Sequence, residues 1–197
     1  MKKLLLFIAL TIFGLGLNAQ NVGDVTTIDY DGYSLKFEIT SVEPAECEVS
    51  DYTDSPVDVT IPSTVTISGT EFAVTSIGDW AFDGCESLTS IEIPNSVTSI
   101  GYGAFYSCSS LASITFGDNS QLTSIGDYAF CDCSSLTSIE IPNSVTSIGE
   151  GAFSYCSSLA SITFGDNSQL TSIGEGAFSY CSSLTSIEIP NSVTSIG

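Results

Sequence analysis

The chain has 197 residues, of which 23 are Asp or Glu, three are Lys or Arg and none is His, giving a formal net charge of −20. So acidic a balance argues against nucleic acid or an anionic membrane surface as partner, because neutralising phosphates takes Lys or Arg. It also removes every nucleophile–base pair and every metal centre built on histidine.

Residues 1–19 read as a secretory signal peptide. Met1-Lys2-Lys3 is a basic start, Leu4 to Leu17 is an apolar run, and Asn18-Ala19 offers a small residue for cleavage. The alternative, an uncleaved anchor, is disfavoured because the run is short for a bilayer span. No cysteine follows the expected cut, so no lipid anchor is expected, and no membrane insertion after cleavage. Once Lys2 and Lys3 are gone, Lys36 is the single base against 23 acids. Such a charge means solubility and self-repulsion, or a preference for cationic partners or divalent ions.

Residues 20–75 carry eleven of the 23 acids, all between Asp24 and Glu71. Ile28-x-Tyr30-Asp31-Gly32-Tyr33-x-Leu35-x-Phe37-x-Ile39 alternates around an Asp-Gly turn, which predicts a β-hairpin. Val57-x-Val59-x-Ile61-Pro62 looks like a degenerate first repeat. The exposed end of a stacked array needs a polar cover, so this segment is expected to be an N-terminal β cap. As a separate domain it would bury little core. Asp29-x-Asp31-Gly32 resembles the start of a calcium loop, but the glutamate that would close it is absent at the required distance.

Residues 76–197 are tandem repeats. Ser-Ile-Gly recurs with its isoleucine at 77, 100, 125, 148, 173 and 196, at spacings of 23, 25, 23, 25 and 23. Short units run through PNSVTSIG and long ones through GDNSQLTSIG, so the true period is a pair of 48 residues. Residues 101–148 and 149–196 agree at 41 of 48 positions, and all seven differences flank Ala-Phe. Ile91 and Ile93 alternate with polar neighbours, as on a strand with one buried face. Pro94-Asn95, or Gly117-Asp118-Asn119, turns the chain. Val97-x-x-Ile100 makes a shorter apolar pass. Ala104-Phe105-x-x-Cys108 has the spacing of one helical turn, and Leu111 opens the next strand. One unit cannot bury these residues alone, whereas stacked units can. The expected fold is a repeat solenoid: a parallel β-sheet on one face, short helical turns or extended segments on the other, and a hairpin cap at the N-terminus.

The motif S-I-G-x-x-A-F-x-x-C-x-S-L-x-S-I-x-I-P-x-S-V, nearly intact from Ser76 to Gly197, resembles the BspA-like leucine-rich repeat. The long units, Leu111-x-x-Ile114-x-Phe116-x-x-Asn119, also match the general leucine-rich-repeat strand, while in short units Asn95 falls one position early. The resemblance implies a secreted or cell-surface protein of Bacteroidota-type bacteria that serves adhesion and protein binding and has no enzyme activity. The sequence stops at Gly197 inside its repeated phrase. That suggests a truncated array lacking its C-terminal cap, or an open end that pairs with another copy.

Cys85, Cys108, Cys133, Cys156 and Cys181 recur in register beside Ala-Phe. They are expected to be small buried hydrophobes, because rungs ~4.8 Å apart hold parallel side chains too far apart for a disulfide, whose Cβ atoms lie ~3.8 Å apart. Cys131-Asp132-Cys133 is too tight for the usual zinc spacing. Neither cofactor nor metal site is expected. The candidate binding residues lie on the outward side of the main strands. They are Thr89, Ser90 and Glu92; Ser113 and Thr115; Thr137, Ser138 and Glu140; Ser161 and Thr163; Thr185, Ser186 and Glu188. Glutamate alternates with threonine from rung to rung, which keeps like charges from facing directly. Tyr102, Tyr106, Tyr128, Tyr155 and Tyr180 belong to the other side. The functional expectation is an adhesin-like module for a host or bacterial surface protein. The alternatives are a structural spacer and a glycan-binding accessory module.

Overall fold

The computed structural model describes residues 20–197, so the signal-peptide reading of residues 1–19 lies outside the described residues. The chain opens with an antiparallel ribbon, β1 (Val25–Tyr30), β2 (Tyr33–Val42) and β3 (Ala45–Thr53). Tyr30 pairs with Tyr33 across the two-residue loop Asp31-Gly32, and Gly32 supplies the left-handed φ of +92°. Short β4 (Asp58–Thr60) and the hairpin of β5 (Thr64–Ile67) with β6 (Thr70–Ile77) follow. β3 then pairs parallel with β6, which joins the ribbon to the array.

From β6 onward each turn of the solenoid except the last lays down a longer and a shorter strand, and the last lays down only the shorter one. The longer ones are β7 (Ser90–Ile93), β9 (Ser113–Phe116), β11 (Ser138–Ile141) and β13 (Ser161–Phe164). The shorter ones are β8 (Ser99–Ile100), β10 (Ser124–Ile125), β12 (Ser147–Ile148), β14 (Ser172–Ile173) and β15 (Ser195–Ile196). The sequence favours the longer strand for the sheet. The uninterrupted ladder, however, is the short one: β6-β8-β10-β12-β14-β15 run parallel, Ser over Ser and Ile over Ile. The long strands split into β4-β7-β9 and β11-β13. A long unit (β9) precedes a short one (β11) at this break, so the 48-residue pair is a structural unit as well as a sequence period.

The Ala-Phe segment forms no helix. The N–H groups of Ala81, Asp83 and Cys85 bond the carbonyls of Gly78, Trp80 and Phe82 three residues back. The alternate N–H groups, of Trp80, Phe82 and Gly84, donate to Tyr102, Ala104 and Tyr106 of the next turn. Left-handed residues interrupt each segment, at Trp80 and Gly84 and then Gly103 and Ser107, which prevents a helix from propagating. This third ladder repeats along the stack, as in Phe105 to Ala129, Phe130 to Ala152 and Phe153 to Ala177.

One core runs from Leu35 to Cys181. Within a single turn Leu88, Ile91, Ile93, Val97, Ile100, Ala104, Phe105 and Cys108 are all buried. Phe82, Phe105, Phe130, Phe153 and Phe178 stack with centroids 5.1 to 5.7 Å apart. Exposure rises in the last turn, where Ile189 is 38% and Ile196 61% exposed. No helix among the described residues is long and apolar enough to cross a membrane.

Candidate interaction faces

The strand face is built by alternation: Ile91 and Ile93 point into the core and Glu92 outward. The register sets Ser90 opposite Ser113 and Glu92 opposite Thr115, then Ser138 opposite Ser161 and Glu140 opposite Thr163. Glu92, Ser113, Thr115, Thr137, Ser138, Glu140, Ser161, Thr163, Thr185, Ser186 and Glu188 are all exposed. Thr89 and Ser90 are half-buried, and both hydroxyls donate to Asp58 of the preceding rung, at 2.9 and 2.6 Å. The Ser90 bond, with that of Thr89, holds the Asp58 carboxyl below the usual carboxylate range. Asp58 and Thr60, opposite Ser90 and Glu92, therefore extend the strip by one rung that the repeat motif did not reveal. Where the strand sheet opens, Phe116, Asp118, Glu140 and Pro142 border a cleft of about 570 Å3. Their counterparts 48 residues on, Phe164, Asp166, Glu188 and Pro190, border another of about 670 Å3.

The opposite face carries aromatic residues. Trp80 meets Tyr102 edge-on at 4.9 Å and Tyr106 at 5.8 Å, and Tyr102 meets Tyr128 at 5.6 Å. Tyr155 and Tyr180 stack at 4.5 Å, 51% and 70% exposed. The repeat comparison overlooked Trp80, because it lies ahead of the duplicated pairs. Its place in the unit, matching Tyr128, was the signal available. The Tyr128 hydroxyl donates to Glu150, and mainly for that reason its pKa is pushed up to about 12. Beside Tyr106 stand Cys131 and then the carboxylates of Asp132 and Asp83, which raise its phenol.

All seven cysteines are free and buried. Those in register donate their thiols across turns: Cys108 to the Phe82 carbonyl at 3.0 Å, Cys133 to Phe105 at 3.2 Å, Cys156 to Phe130 at 3.1 Å and Cys181 to Phe153 at 3.1 Å. Burial pushes the Cys47 thiol up to about 12 and raises those of Cys108, Cys133 and Cys156 further above the ordinary 9.0 or well above it. Thiol titration is therefore expected to find all seven free after denaturation and almost none reactive in the native chain at neutral pH. Three disulfides would overturn this. The folded-state values are raised, so the stability the thiols contribute is full below the unfolded value near 9.0 and is lost as pH climbs through the folded values. Melting temperature should thus fall on the alkaline side of 9.0.

Asp29 of the calcium-like stretch accepts a hydrogen bond from Ser34 at 2.8 Å. Among the described residues no three His, Cys, Asp or Glu side chains are grouped to hold a metal ion.

Residues 75–197 match, in six copies, the family described as BspA type Leucine rich repeat region. A leucine rich cell surface protein from Faecalibacterium prausnitzii A2-165 is 35% identical, with a TM-score of 0.62 over 87% of this chain and 50% of its own. The pneumococcal vaccine antigen PcpA is 29% identical, with a TM-score of 0.70 over 90% of this chain and 47% of its own. A leucine-rich repeat protein from Bacteroides capillosus ATCC 29799 is 30% identical, with a TM-score of 0.58 over 71% of this chain and 98% of its own. The chain thus spans about half the length of the first two. No curated protein sequence matches it.

Proposed function

The chain belongs to the BspA-type leucine-rich repeat family, and on that footing we propose that it is a non-catalytic, adhesin-like module, secreted or held at the cell surface, that binds a host or bacterial surface protein. The strand face is the recognition surface in this reading. The observation that carries it is the exposed strip in which Glu92 and Glu140 recur beside Thr115 and Thr163 in the same register on the two halves of the strand sheet. A face that repeats offers one weak site several times, which suits an extended or repetitive partner through effective concentration. Its carboxylates favour basic partners, with affinity that falls as salt rises.

The test is a pair of charge reversals read on an array of surface proteins, at low and physiological salt. Glu92→Lys, Glu140→Lys and Glu188→Lys together should abolish binding. Asp127→Lys, Glu150→Lys and Glu175→Lys, an equal change of charge on the other side, should leave most of it. Equal losses would mean a general charge effect, and loss from the second set alone would move the site.

A further inference from the structure

Four aromatic side chains on the face away from the strand strip cross three successive turns: Trp80, Tyr102, Tyr106 and Tyr128. Two of them occupy left-handed backbone, Trp80 at φ 60° and Tyr128 at φ 56°. The same repeat position holds Gly103, Gly151 and Gly176 in the other turns. An L side chain pays for that conformation and glycine does not. Packing against Gly103 and Gly151 of the next turn offsets part of that cost, yet Trp80 is left 47% exposed. Left-handed rings at Trp80 and Tyr128, the first still half in solvent, where other turns hold glycine point to a use beyond packing.

The rings sit among carboxylates. Asp83 and Asp132 raise the Tyr106 phenol, after Cys131. Glu150 holds the Tyr128 hydroxyl, and Asp79 receives the Tyr102 N–H at 2.7 Å. The one base among the described residues, Lys36, is paired with Asp51. The ridge therefore offers π faces and negative charge, and the array itself supplies no cation to it.

We propose that this ridge binds an extended, arginine-bearing segment of a partner protein. A guanidinium is planar and weakly hydrated, so it stacks on tyrosine and tryptophan faces and still donates in its own plane to carboxylates. The inference rests on the protein-binding reading above but uses a different face, so the two can fail separately.

Trp80 is the only tryptophan in the chain, and its emission reports on the ridge alone. A peptide alternating arginine with serine, titrated into the full chain at physiological salt, should shift that emission saturably. The same peptide with citrulline for arginine should not. The deciding variant combines Tyr102→Glu with Tyr128→Gly. The array itself carries those residues 48 positions later, at Glu150 and Gly176, and Gly151, at the same repeat position, donates its N–H to Glu175 of the next turn at 2.9 Å, so the fold is kept. The variant is also more acidic. Attraction by charge alone would therefore tighten binding, whereas loss of two ring contacts should weaken it by at least about ten-fold. Unchanged or tighter binding overturns the inference, as does an equal shift with citrulline. A shift with a neutral oligosaccharide and none with the peptide also overturns it and assigns the ridge to glycan. Neutralising the strand strip with Glu92→Gln and Glu140→Gln should leave the titration intact. Loss there, with the ridge variant unaffected, would return the peptide to the strand face.

Discussion

Replacing Phe130 by alanine is expected to destabilise the array by about 3–5 kcal/mol, the usual cost of emptying a fully buried aromatic site. The ring is 0% exposed and stacks on Phe105 at 5.1 Å and on Phe153 at 5.2 Å, nearly parallel to both. Removing it opens a void between two turns, and neither can collapse into it. Backbone bonds on both sides, Phe105 to Ala129 at 2.7 Å and Phe130 to Ala152 at 2.7 Å, fix the spacing. The Phe130 carbonyl also receives the Cys156 thiol. Since stability in a stacked array is close to a sum of nearest-neighbour terms, Phe178→Ala should cost clearly less: Phe178 has one ring neighbour and is half-buried. Denaturant melts of both variants decide the matter. Equal costs would contradict the stacking account.

Gly126→Ala is expected to cost about 1–3 kcal/mol, the range for forcing atoms into a packed site. A Cβ on Gly126 would stand 2.7 Å from the carbonyl carbon of Gly101, 2.8 Å from its oxygen and 2.9 Å from the oxygen of Ile100. All three are backbone atoms of the preceding turn, so no side chain can swing away. Relief would have to stretch the Gly126 N–H bond to Ile100, now 2.9 Å. Gly84→Ser is the control. Its site is open and left-handed, at φ +65°, and the equivalent positions hold Ser107, Asp132, Tyr155 and Tyr180. The serine carries only the left-handed cost, about 1 kcal/mol for an L side chain, so the control should melt between the parent and Gly126→Ala. A loss matching that of Gly126→Ala would show that handedness, not close approach, sets the cost.

These two glycines illustrate how far the sequence could be read. The glycine of Ser-Ile-Gly recurs in every unit, so its importance was legible, but its reason was not. The contact it avoids lies with a turn 25 residues earlier. The five register cysteines were legible: a small apolar residue recurring in core register is buried in any stacking, and all five are, whereas the burial of Cys47 and Cys131, which lie outside the register, was not. On the strand face, outward Glu92, Glu140 and Thr163 followed from alternation alone. The capture of Thr89 and Ser90 by Asp58 did not, because Asp58 takes the place of Ser90 in the degenerate first repeat and the bonds run between rungs about thirty residues apart.

By itself the sequence determined the period, the residues that face inward and the vertical register. Near-identical units can bury Leu, Ile, Phe and Cys only by placing each over its own copy, and no other alignment closes the core. The tertiary structure decided which ladder is continuous and where the other opens. Three backbone ladders must share one stacking axis. The short Ser-Ile strands and the Ala-Phe turns keep their bonds at every step, so the mismatch between long and short units falls on the long strands, between β9 and β11. The tertiary structure also decided the handedness of the Ala-Phe turns and with it the direction of the rings at Trp80 and Tyr128. That handedness is set by hydrogen bonds to the neighbouring turn, a non-local constraint that no window of the sequence contains.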